Sequence, residues 1–330
     1  MFRKLLTTLT LVLLSSSAYS IEKPTLTVYS YGSFLSEWGP GEKIKNAFEA
    51  ECGCELNIIN VGDGVAILNR LRLEGDKTKA DVVIGLDTNL VDTAKKAKLF
   101  QPHQIVQPTN LAVDWWDNEF IPYDHGYFAF IYNAQKIANP PHNFEQLINN
   151  PYDWKIVYPD PRTSTPGLGL VLWMNKVYSD NTTNAWQSLA KHTLTVTKGW
   201  SAAYSLFLKG EADFVLSYSS SPVVHIQNDK DYSFKTAIFD EGHYQQIEIA
   251  GMSSYTKQPE LAKRFLNFLL TPKIQSYFVE KNVMYPVIDI ELPKAYNEIN
   301  HIEHGLSFDA ETINQNQKRW INQWQQAVSQ

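Results

Sequence analysis

Apolar residues along this chain fall into two alternating patterns, short runs of the strand type and longer runs of the helix type. Leu26–Tyr31 alternates like a strand, and Glu42–Glu51 follows with the period of an amphipathic helix. Asp81–Leu86 is a short apolar run of the kind that parallel sheets bury on both faces. This alternation of strands and helices predicts an α/β fold with mainly parallel sheets.

The same alternation continues to the end of the chain. The other predicted strands are Glu55–Val61, Phe120–Tyr132, Trp154–Tyr158, Asp213–Tyr218 and Gln245–Met252. The other predicted helices are Val65–Leu73, Leu90–Ala97, Gly167–Tyr178, Asn184–Lys191, Ser201–Leu208, Pro259–Leu270, Pro272–Glu280 and Asp309–Val328. Asp63 stands where it would cap the helix that begins near Val65.

The first twenty residues have the pattern of a secretory signal peptide. A basic start at Arg3 and Lys4 precedes the apolar run Leu5–Leu14, and small residues follow at Ala18-Tyr19-Ser20. We therefore expect cleavage near Ile21 and an exported mature protein without a lipid anchor. Loss of Arg3 and Lys4 changes the net charge from −6 to −8, so no basic surface for nucleic acid is expected.

The mature length of about 310 residues exceeds what one core usually organises, so two lobes are expected. The first lobe is predicted to comprise residues 21–122 together with 251–330, including the C-terminal helix, and the second lobe residues 123–250. No long polar linker is present. Extended segments near Pro122–Phe130 and Gln246–Ala250 are therefore predicted to cross between the lobes, with the ligand in the cleft between them.

Cys52 and Cys54 are the only cysteines, and a single glycine separates them. Export to an oxidising compartment favours a small local disulfide, and a metal or redox site is the alternative. A bridge across so short a loop is expected to add little to the stability of the whole chain.

One proline-rich turn, Tyr158–Gly169, stands between a predicted strand and a predicted helix. Ser164 or Thr165 would be the N-cap, and Pro166 would occupy the first helical position. The free N–H groups of that turn, the two hydroxyls and the helix dipole would form an anion site, to which Arg162 could contribute. An ordinary capped helix, with Arg162 as a solvated charge, explains the same pattern equally well.

Short motifs are spaced along the whole mature chain. They are Leu26-Thr-Val-Tyr-Ser-Tyr31, Trp38-Gly-Pro40, Glu51-Cys-Gly-Cys54, Leu68-Asn-Arg-Leu-Arg72, Lys79-Ala-Asp-Val-Val83, Tyr123-Asp-His-Gly-Tyr-Phe-Ala-Phe130, Asp160-Pro-Arg-Thr-Ser-Thr-Pro-Gly-Leu-Gly169, Thr195-Val-Thr-Lys-Gly-Trp200, Leu216-Ser-Tyr218 and Met284-Tyr-Pro-Val287. With these motifs the chain resembles the thiamine-binding periplasmic proteins of bacterial ABC import systems. The resemblance implies a two-lobed, type II-like binding protein that hands thiamine or its mono- and diphosphate to a membrane permease driven by an ATPase.

The resemblance also implies a set of ligand-binding residues in the cleft. They are Asp63, Gly64, Ser164, Thr165, Trp200, Tyr218, Ser219, Ser220 and Ser221, with Tyr31 and Tyr285 as further aromatic candidates. Thiamine carries a permanent thiazolium cation, which aromatic faces attract. Trp200 and Tyr218 would therefore flank the ring, and Asp63 would pair with the cation or accept a hydrogen bond from the amino group.

A phosphate ester would need donors instead of carboxylates. The hydroxyls of Ser164 and Thr165 and the N–H of Gly64 suit such a group, because two helix N-termini would then face it from opposite lobes. Val283 departs from the family pattern, which has a tryptophan there, and Tyr285 or Tyr31 would have to compensate. Each assignment has a structural alternative: Trp200 could be a core residue, Tyr218 a half-buried aromatic, Asp63 only a cap, and Ser219–Ser221 only the start of the next helix.

Other functions of the same fold are possible interpretations. Ferric-ion capture uses adjacent tyrosines, whereas Tyr218 stands between serines. A sulfate or phosphate binder would leave Trp200 and Tyr218 without a role. A thiaminase-like transferase needs a cysteine nucleophile in the cleft, and Cys52 and Cys54 follow an early helix. We therefore expect a monomeric binding protein in the periplasm, without catalysis, cofactor or metal.

Overall fold

The computed structural model describes residues 23–106 and 108–329, so the predicted signal peptide lies outside the described residues. Twelve strands occur in this part of the chain. They are β1 (Thr25–Ser30), β2 (Glu55–Asn60), β3 (Val82–Asp87), β4 (Phe100–Gln101), β5 (Phe120–Asn133), β6 (Ile156–Pro159), β7 (Thr193–Thr197), β8 (Phe214–Tyr218), β9 (Phe234–Ala237), β10 (His243–Ser253), β11 (Tyr285–Pro286) and β12 (Gly305–Leu306).

Eleven α-helices accompany these strands in the same described residues. They are α1 (Gly41–Cys52), α2 (Gly64–Glu74), α3 (Val91–Lys96), α4 (Phe144–Ile148), α5 (Thr165–Tyr178), α6 (Thr182–His192), α7 (Trp200–Leu208), α8 (Pro222–Asp229), α9 (Pro259–Leu269), α10 (Pro272–Tyr277) and α11 (Ala310–Val328). Every predicted strand and helix is present within a few residues of its predicted bounds. The strands β4, β7, β9, β11 and β12 and the helices α4 and α8 were not predicted; none of them is longer than eight residues.

The strands form two parallel groups joined by two long strands. The order along the sheet is β2-β1-β3-β10-β5-β8-β6-β7. We call β2-β1-β3 the first half-sheet and β8-β6-β7 the second half-sheet; within each, neighbouring strands run parallel. Helices cover the sheet, so the α/β, two-lobed fold class is confirmed.

The two joining strands, β5 and β10, run antiparallel to each other and to their outer neighbours. The first part of β5 pairs with β10 as far as Tyr127, and the rest, from Phe128, pairs with β8. Strand β5 therefore continues from its pairing with β10 into its pairing with the second half-sheet. The segments near Pro122–Phe130 and Gln246–Ala250 lie within β5 and β10, and their role as crossings between lobes stays a prediction.

The C-terminal helix α11 contacts elements of both predicted lobes. It packs on α5 and α6, which connect strands β6 and β7 of the second half-sheet, and also on α3. The indole Nε1 of Trp324 donates to the hydroxyl of Tyr158 at 3.2 Å. The lobe boundaries 21–122 with 251–330 and 123–250 remain a prediction, in which α11 bridges the two lobes.

Helix α1 ends at a glycine that the chain geometry requires. Gly53 adopts φ +65°, a left-handed conformation that glycine tolerates and that commonly terminates helices. On either side of it, Cys52 and Cys54 form a disulfide, as the export pattern favours. Among the described residues, no helix is both long enough and apolar enough to cross a membrane.

Candidate ligand-binding cavity

A cavity of about 670 Å³ lies between the two half-sheets, within the size range of small-molecule sites. Its wall is built where strands end and helices begin, at the starts of α2, α5 and α7. Parallel strands direct their carboxyl ends to one edge, which is the usual ligand position in such sheets. The fold therefore brings together residues that are far apart in the sequence.

Most of the residues predicted to bind ligand line this cavity. Those that line it are Tyr31, Asp63, Gly64, Thr165, Trp200, Tyr218 and Ser221. Ser164, Ser219, Ser220 and Tyr285 are not among its lining residues. The direct ligand contacts of all eleven residues remain a prediction.

Asp63 has a different role from the expected cap. It occupies the N-cap position of α2, but its side chain makes no capping hydrogen bond to that helix. Its Oδ2 instead accepts from the hydroxyl of Ser164 at 2.7 Å and from the backbone N–H of Trp200 at 2.9 Å. Asp63 thus connects the first half-sheet to the starts of α5 and α7, two helices that follow strands of the second half-sheet. Burial raises the pKa of its carboxyl, and the two donated hydrogen bonds oppose that rise.

The expected helix start after the proline-rich turn is confirmed. Ser164 is the N-cap residue of α5, and Pro166 lies in its first turn. The Ser164 hydroxyl, however, makes no capping bond and is fully buried beneath Asp63. Arg162 pairs with Asp160 at 2.6 Å and is not a cavity-lining residue, so it is the solvated charge of the two alternatives. Of Ser164 and Thr165, it is Thr165 that lines the cavity.

The two sides of the cavity are in close contact at Gly64. A Cβ atom there would lie 2.4 Å from Cγ2 of Thr165 and 2.2 Å from the carbonyl oxygen of Gly85. Beside it, the N–H of Ala66 donates to the carbonyl oxygen of Thr163 at 3.0 Å. Glycine is therefore required for this contact between the two sides.

Aromatic rings form a wall along one side of the cavity. Trp200 is half-buried, stacks on Tyr204 with ring centres 4.9 Å apart and donates from Nε1 to Ser217 at 2.8 Å. Trp38 meets Trp200 edge-on at 5.9 Å, and Tyr218 lies beyond Trp200 at 6.5 Å. Trp38 was not predicted as a site residue, although the motif Trp38-Gly-Pro40 contains it. We call Trp38, Trp200 and Tyr218 the aromatic wall.

The serines after Tyr218 differ in their surroundings. Ser221 Oγ receives the N–H of Tyr218 at 3.2 Å and shares a 2.7 Å hydrogen bond with Ser217, which links it to Trp200. Ser219 and Ser220 are buried, and no described residue hydrogen-bonds to their hydroxyls. Helix α8 begins directly after them. Ser221 thus supports the aromatic wall, whereas Ser219 and Ser220 are buried and do not line the cavity.

A pair of carboxyl groups that the sequence prediction missed lies at the floor, on the two crossing strands. Glu248 lines the cavity and is 6% exposed, and Asp124 beside it is fully buried. Glu248 Oε2 accepts from the hydroxyls of Tyr123 at 2.9 Å and Tyr31 at 3.2 Å. Gln246 donates both to Glu248 Oε1 and to the hydroxyl of Tyr218, each at 3.2 Å.

Burial and mutual repulsion raise the pKa values of this pair, so that the two carboxyls are not both ionised. Burial raises the pKa of Asp124 far above its usual range, and the neighbouring Glu248 raises it further. The pKa of Glu248 is also raised by burial, but hydrogen bonds from Asp124, Tyr123 and Tyr31 oppose the rise. The larger rise on Asp124, together with the donors that Glu248 accepts from Tyr31, Tyr123 and Gln246, favours the proton on Asp124 and the negative charge on Glu248.

A π-helical turn completes the floor. It spans Phe278–Asn282, where the sequence predicts the end of an α-helix, and places Asn282 Nδ2 2.7 Å from Asp124. The turn ends at Val283 with φ +57°, an unfavourable conformation for a β-branched residue. Both features occur often at functional sites. Val283 and Met284 line the cavity here, whereas Tyr285 packs between His125 and Tyr296.

The comparisons with known proteins agree with this geometry. The family model "Bacterial extracellular solute-binding protein" matches residues 39–276. A "Thiamine-binding periplasmic protein" of Escherichia coli (strain K12) is 48% identical over 319 residues, 96% of this chain and 98% of the relative. A solved structure titled "Periplasmic thiamin binding protein" is 48% identical, with a TM-score of 0.92 over 93% of this chain and 97% of that one.

The chain belongs to the family of bacterial extracellular solute-binding proteins. The resemblance to the thiamine-binding periplasmic proteins that the motifs indicate is confirmed. A "Ferric binding protein from Campylobacter jejuni" has a TM-score of 0.76 over 92% of this chain and 99% of that one, but only 19% identity, so that likeness concerns the fold alone. Within the described residues, no group of three or more His, Cys, Asp or Glu side chains is placed to hold a metal ion.

Proposed function

We propose that this chain binds thiamine, thiamine monophosphate and thiamine diphosphate in the cavity between the half-sheets. In this proposal it acts in the periplasm after cleavage of its signal peptide, as a monomer without a cofactor. It delivers the vitamin to the permease of an ABC importer that an ATPase drives. The 48% identity to thiamine-binding relatives over nearly the whole chain supports this choice of ligand.

One observation of the site carries the proposal. The same cavity presents the aromatic wall, a buried charged carboxylate and the threonine hydroxyl at the start of α5. Thiamine combines a cationic ring, which aromatic faces attract, with an alcohol or phosphate tail, which hydroxyl and N–H donors bind. In the proposed pose, the thiazolium lies against Trp200 and Tyr218 and the tail extends toward Gly64 and Thr165.

Titration calorimetry of the mature protein with thiamine tests this function. The protein should first be unfolded, freed of small molecules and refolded, so that retained ligand does not mask binding. We expect one reversible site per chain, with an affinity that a metal chelator leaves unchanged. Absence of heat and of thermal stabilisation with all three ligands would overturn the proposed function.

The two competing functions predict other outcomes of the same experiment. A ferric-ion binder would lose affinity with the chelator and gain it with ferric citrate. A thiaminase-like transferase would release free pyrimidine and thiazole, which chromatography of the incubated mixture would detect. We expect intact thiamine to be recovered, because the two cysteines of the chain are joined in a disulfide after α1 and neither lines the cavity.

A further inference from the structure

The floor of the cavity holds a carboxylate, Glu248, that takes part in no ion pair among the described residues. Among the described residues, the ion pairs join other carboxylates, and none of them includes Glu248 or Asp124. The partners of Glu248 are neutral donors: two tyrosine hydroxyls and the amides of Gln246 and Asn282. A buried carboxylate held only by neutral groups is costly unless a cation joins it.

The hydrogen bonding of the pair is also incomplete. Asp124 Oδ1 and Gln246 Oε1 are fully buried, and no described donor reaches either oxygen. A proton shared between Asp124 and Glu248 satisfies the two carboxyls only in part. Spare acceptors therefore lie beside Glu248, which favours a ligand that brings a hydrogen-bond donor or positive charge over an anion.

The surroundings restrict the kind of cation. Tyr31 and Tyr218 flank Glu248 and are joined to it through hydrogen bonds, and Tyr218 continues into the aromatic wall. A metal ion needs several anionic or imidazole ligands, whereas Glu248 offers one charged carboxylate among rings. A flat organic cation meets both demands, since its faces contact the rings and its charge faces the carboxylate.

We propose that Glu248 is the specificity-determining residue of the cavity, the counter-ion that selects the cationic ring of the ligand. This inference rests on the proposed function and names the residue that recognises the positive charge of the ligand. Asp63, the carboxylate first expected in that role, uses one oxygen to bind Ser164 and Trp200 instead. Asp124 contributes as a neutral partner that keeps Glu248 in place.

The two carboxyls can be separated by matched substitutions. Glu248→Gln removes the charge and keeps the shape, whereas Asp124→Asn replaces a group that is already neutral. We expect Glu248→Gln to weaken thiamine binding about 30-fold or more, as for loss of one partner of a buried charge pair. Asp124→Asn should change it less than about fivefold, because the charge on Glu248 remains.

A neutral ligand distinguishes charge pairing from simple hydrogen bonding. The probe is an analogue of thiamine in which carbon replaces the thiazolium nitrogen. The wild-type protein should prefer thiamine over this analogue about 30-fold or more, and Glu248→Gln should bind the two nearly equally. Equal losses for both ligands in Glu248→Gln would place Glu248 on the aminopyrimidine and overturn the inference.

The remaining outcomes are also decisive. Wild-type protein that binds thiamine and the neutral analogue equally well overturns the inference even if Glu248→Gln does not fold. If the wild-type protein and Glu248→Gln bind thiamine with the same affinity, the inference alone is overturned. Wild-type protein that binds neither ligand overturns the proposed function, and the inference with it.

Discussion

The carboxylate of Asp63 accepts the backbone N–H of Trp200 at 2.9 Å, although the two residues are 137 positions apart in the chain. Asp63 lies at the start of α2, and Trp200 is the first residue of α7 on the opposite side of the cavity. An N-terminal N–H of α7 is thus satisfied by a side chain from the other side. The hydrogen bond that joins the two sides of the cavity is therefore also the one that caps α7.

Replacement of Asp63 by alanine tests this link. We expect Asp63→Ala to lose about 1 kcal/mol or more of ligand affinity, because α7 loses its acceptor and the two sides lose a connection. The radius of gyration of the ligand-free protein, measured by small-angle X-ray scattering, should increase. Unchanged affinity and radius would show that the hydrogen bond does not hold the sides together.

Asp309→Ala is the matched control for that experiment. Asp309 caps α11 by accepting the N–H of Thr312 at 2.8 Å, and it does not line the cavity. Asp309→Ala should lower the melting temperature, because α11 also loses the carboxylate that accepts an N–H of its first turn. It should leave the ligand affinity unchanged.

Thr165→Val should discriminate between phosphorylated and free thiamine. Thr165 is the hydroxyl at the start of α5 that lines the cavity, and a hydrogen bond to a charged oxygen contributes about 1.5–3 kcal/mol. Calorimetry should show that loss for thiamine monophosphate and little change for thiamine. Ser164→Ala should weaken both ligands alike, since Ser164 acts through Asp63.

Thr163→Val serves as the control, because the Thr163 hydroxyl donates to the backbone of Lys198 at 2.6 Å and the residue does not line the cavity. Equal losses for both ligands in Thr165→Val would place the phosphate elsewhere.

Trp200 should report ligand binding by fluorescence. Its half-buried indole loses water and gains a cationic neighbour when the cavity fills, so emission should change on addition of thiamine. Trp200→Phe should abolish most of that change, and Trp200→Ala should cost about 2 kcal/mol or more of affinity. Trp116→Phe is the control, since Trp116 is 87% exposed.

Trp200→Ala also decides whether Trp200 is a site residue or a core residue. If Trp200→Ala is badly destabilised without ligand while its folded fraction binds normally, Trp200 belongs to the core and the proposed site is wrong. A buried core tryptophan would cost about 3–5 kcal/mol on truncation.

His243 should make the protein less stable as pH falls. Its Nδ1 donates to the carbonyl of Phe128 at 2.8 Å and its Nε2 accepts the N–H of Phe239 at 3.0 Å, so only the neutral ring fits. Burial lowers its pKa to about 4. Between about pH 6.5 and 4 the unfolded chain takes up a proton that the native protein does not, so stability falls by about 1.4 kcal/mol per pH unit from this residue.

Urea unfolding at several pH values measures this slope. Burial also lowers the pKa of His125 to about 4, so the two residues act in the same direction. His243→Gln should remove the share of His243 from the slope, whereas His301→Gln, at an exposed position, should leave the slope intact. An unchanged slope in His243→Gln would contradict the assignment of its neutral state.

Local patterns predicted much of this protein. Hydrophobic periodicity located most of the helices and the long strands, since burial of one face depends on nearby spacing. Cap and proline signals located the start of α5 at Ser164 and Pro166, because those interactions span only one turn. The motifs indicated the family, and most of the residues predicted to bind ligand line the cavity.

The carboxyl pair was missed for a physical reason. Asp124 and Glu248 each stand in an apolar strand, and the sequence offers no local partner that would explain them. Two acidic residues within crossing strands were the available signal. Only the antiparallel pairing of β5 and β10 sets Asp124 opposite Glu248, with Tyr31 and Asn282 added from elsewhere.

Asp63 shows the same division most clearly. The residues beside it are enough to predict a helix start, because capping preferences are local. Its hydrogen-bond partners, Ser164 and Trp200, lie 101 and 137 positions away, and only the packing of the two half-sheets brings them within 3 Å. Local spacing therefore determines where elements begin and end, whereas the assignment of a buried polar group to its partner depends on contacts that form across the whole fold.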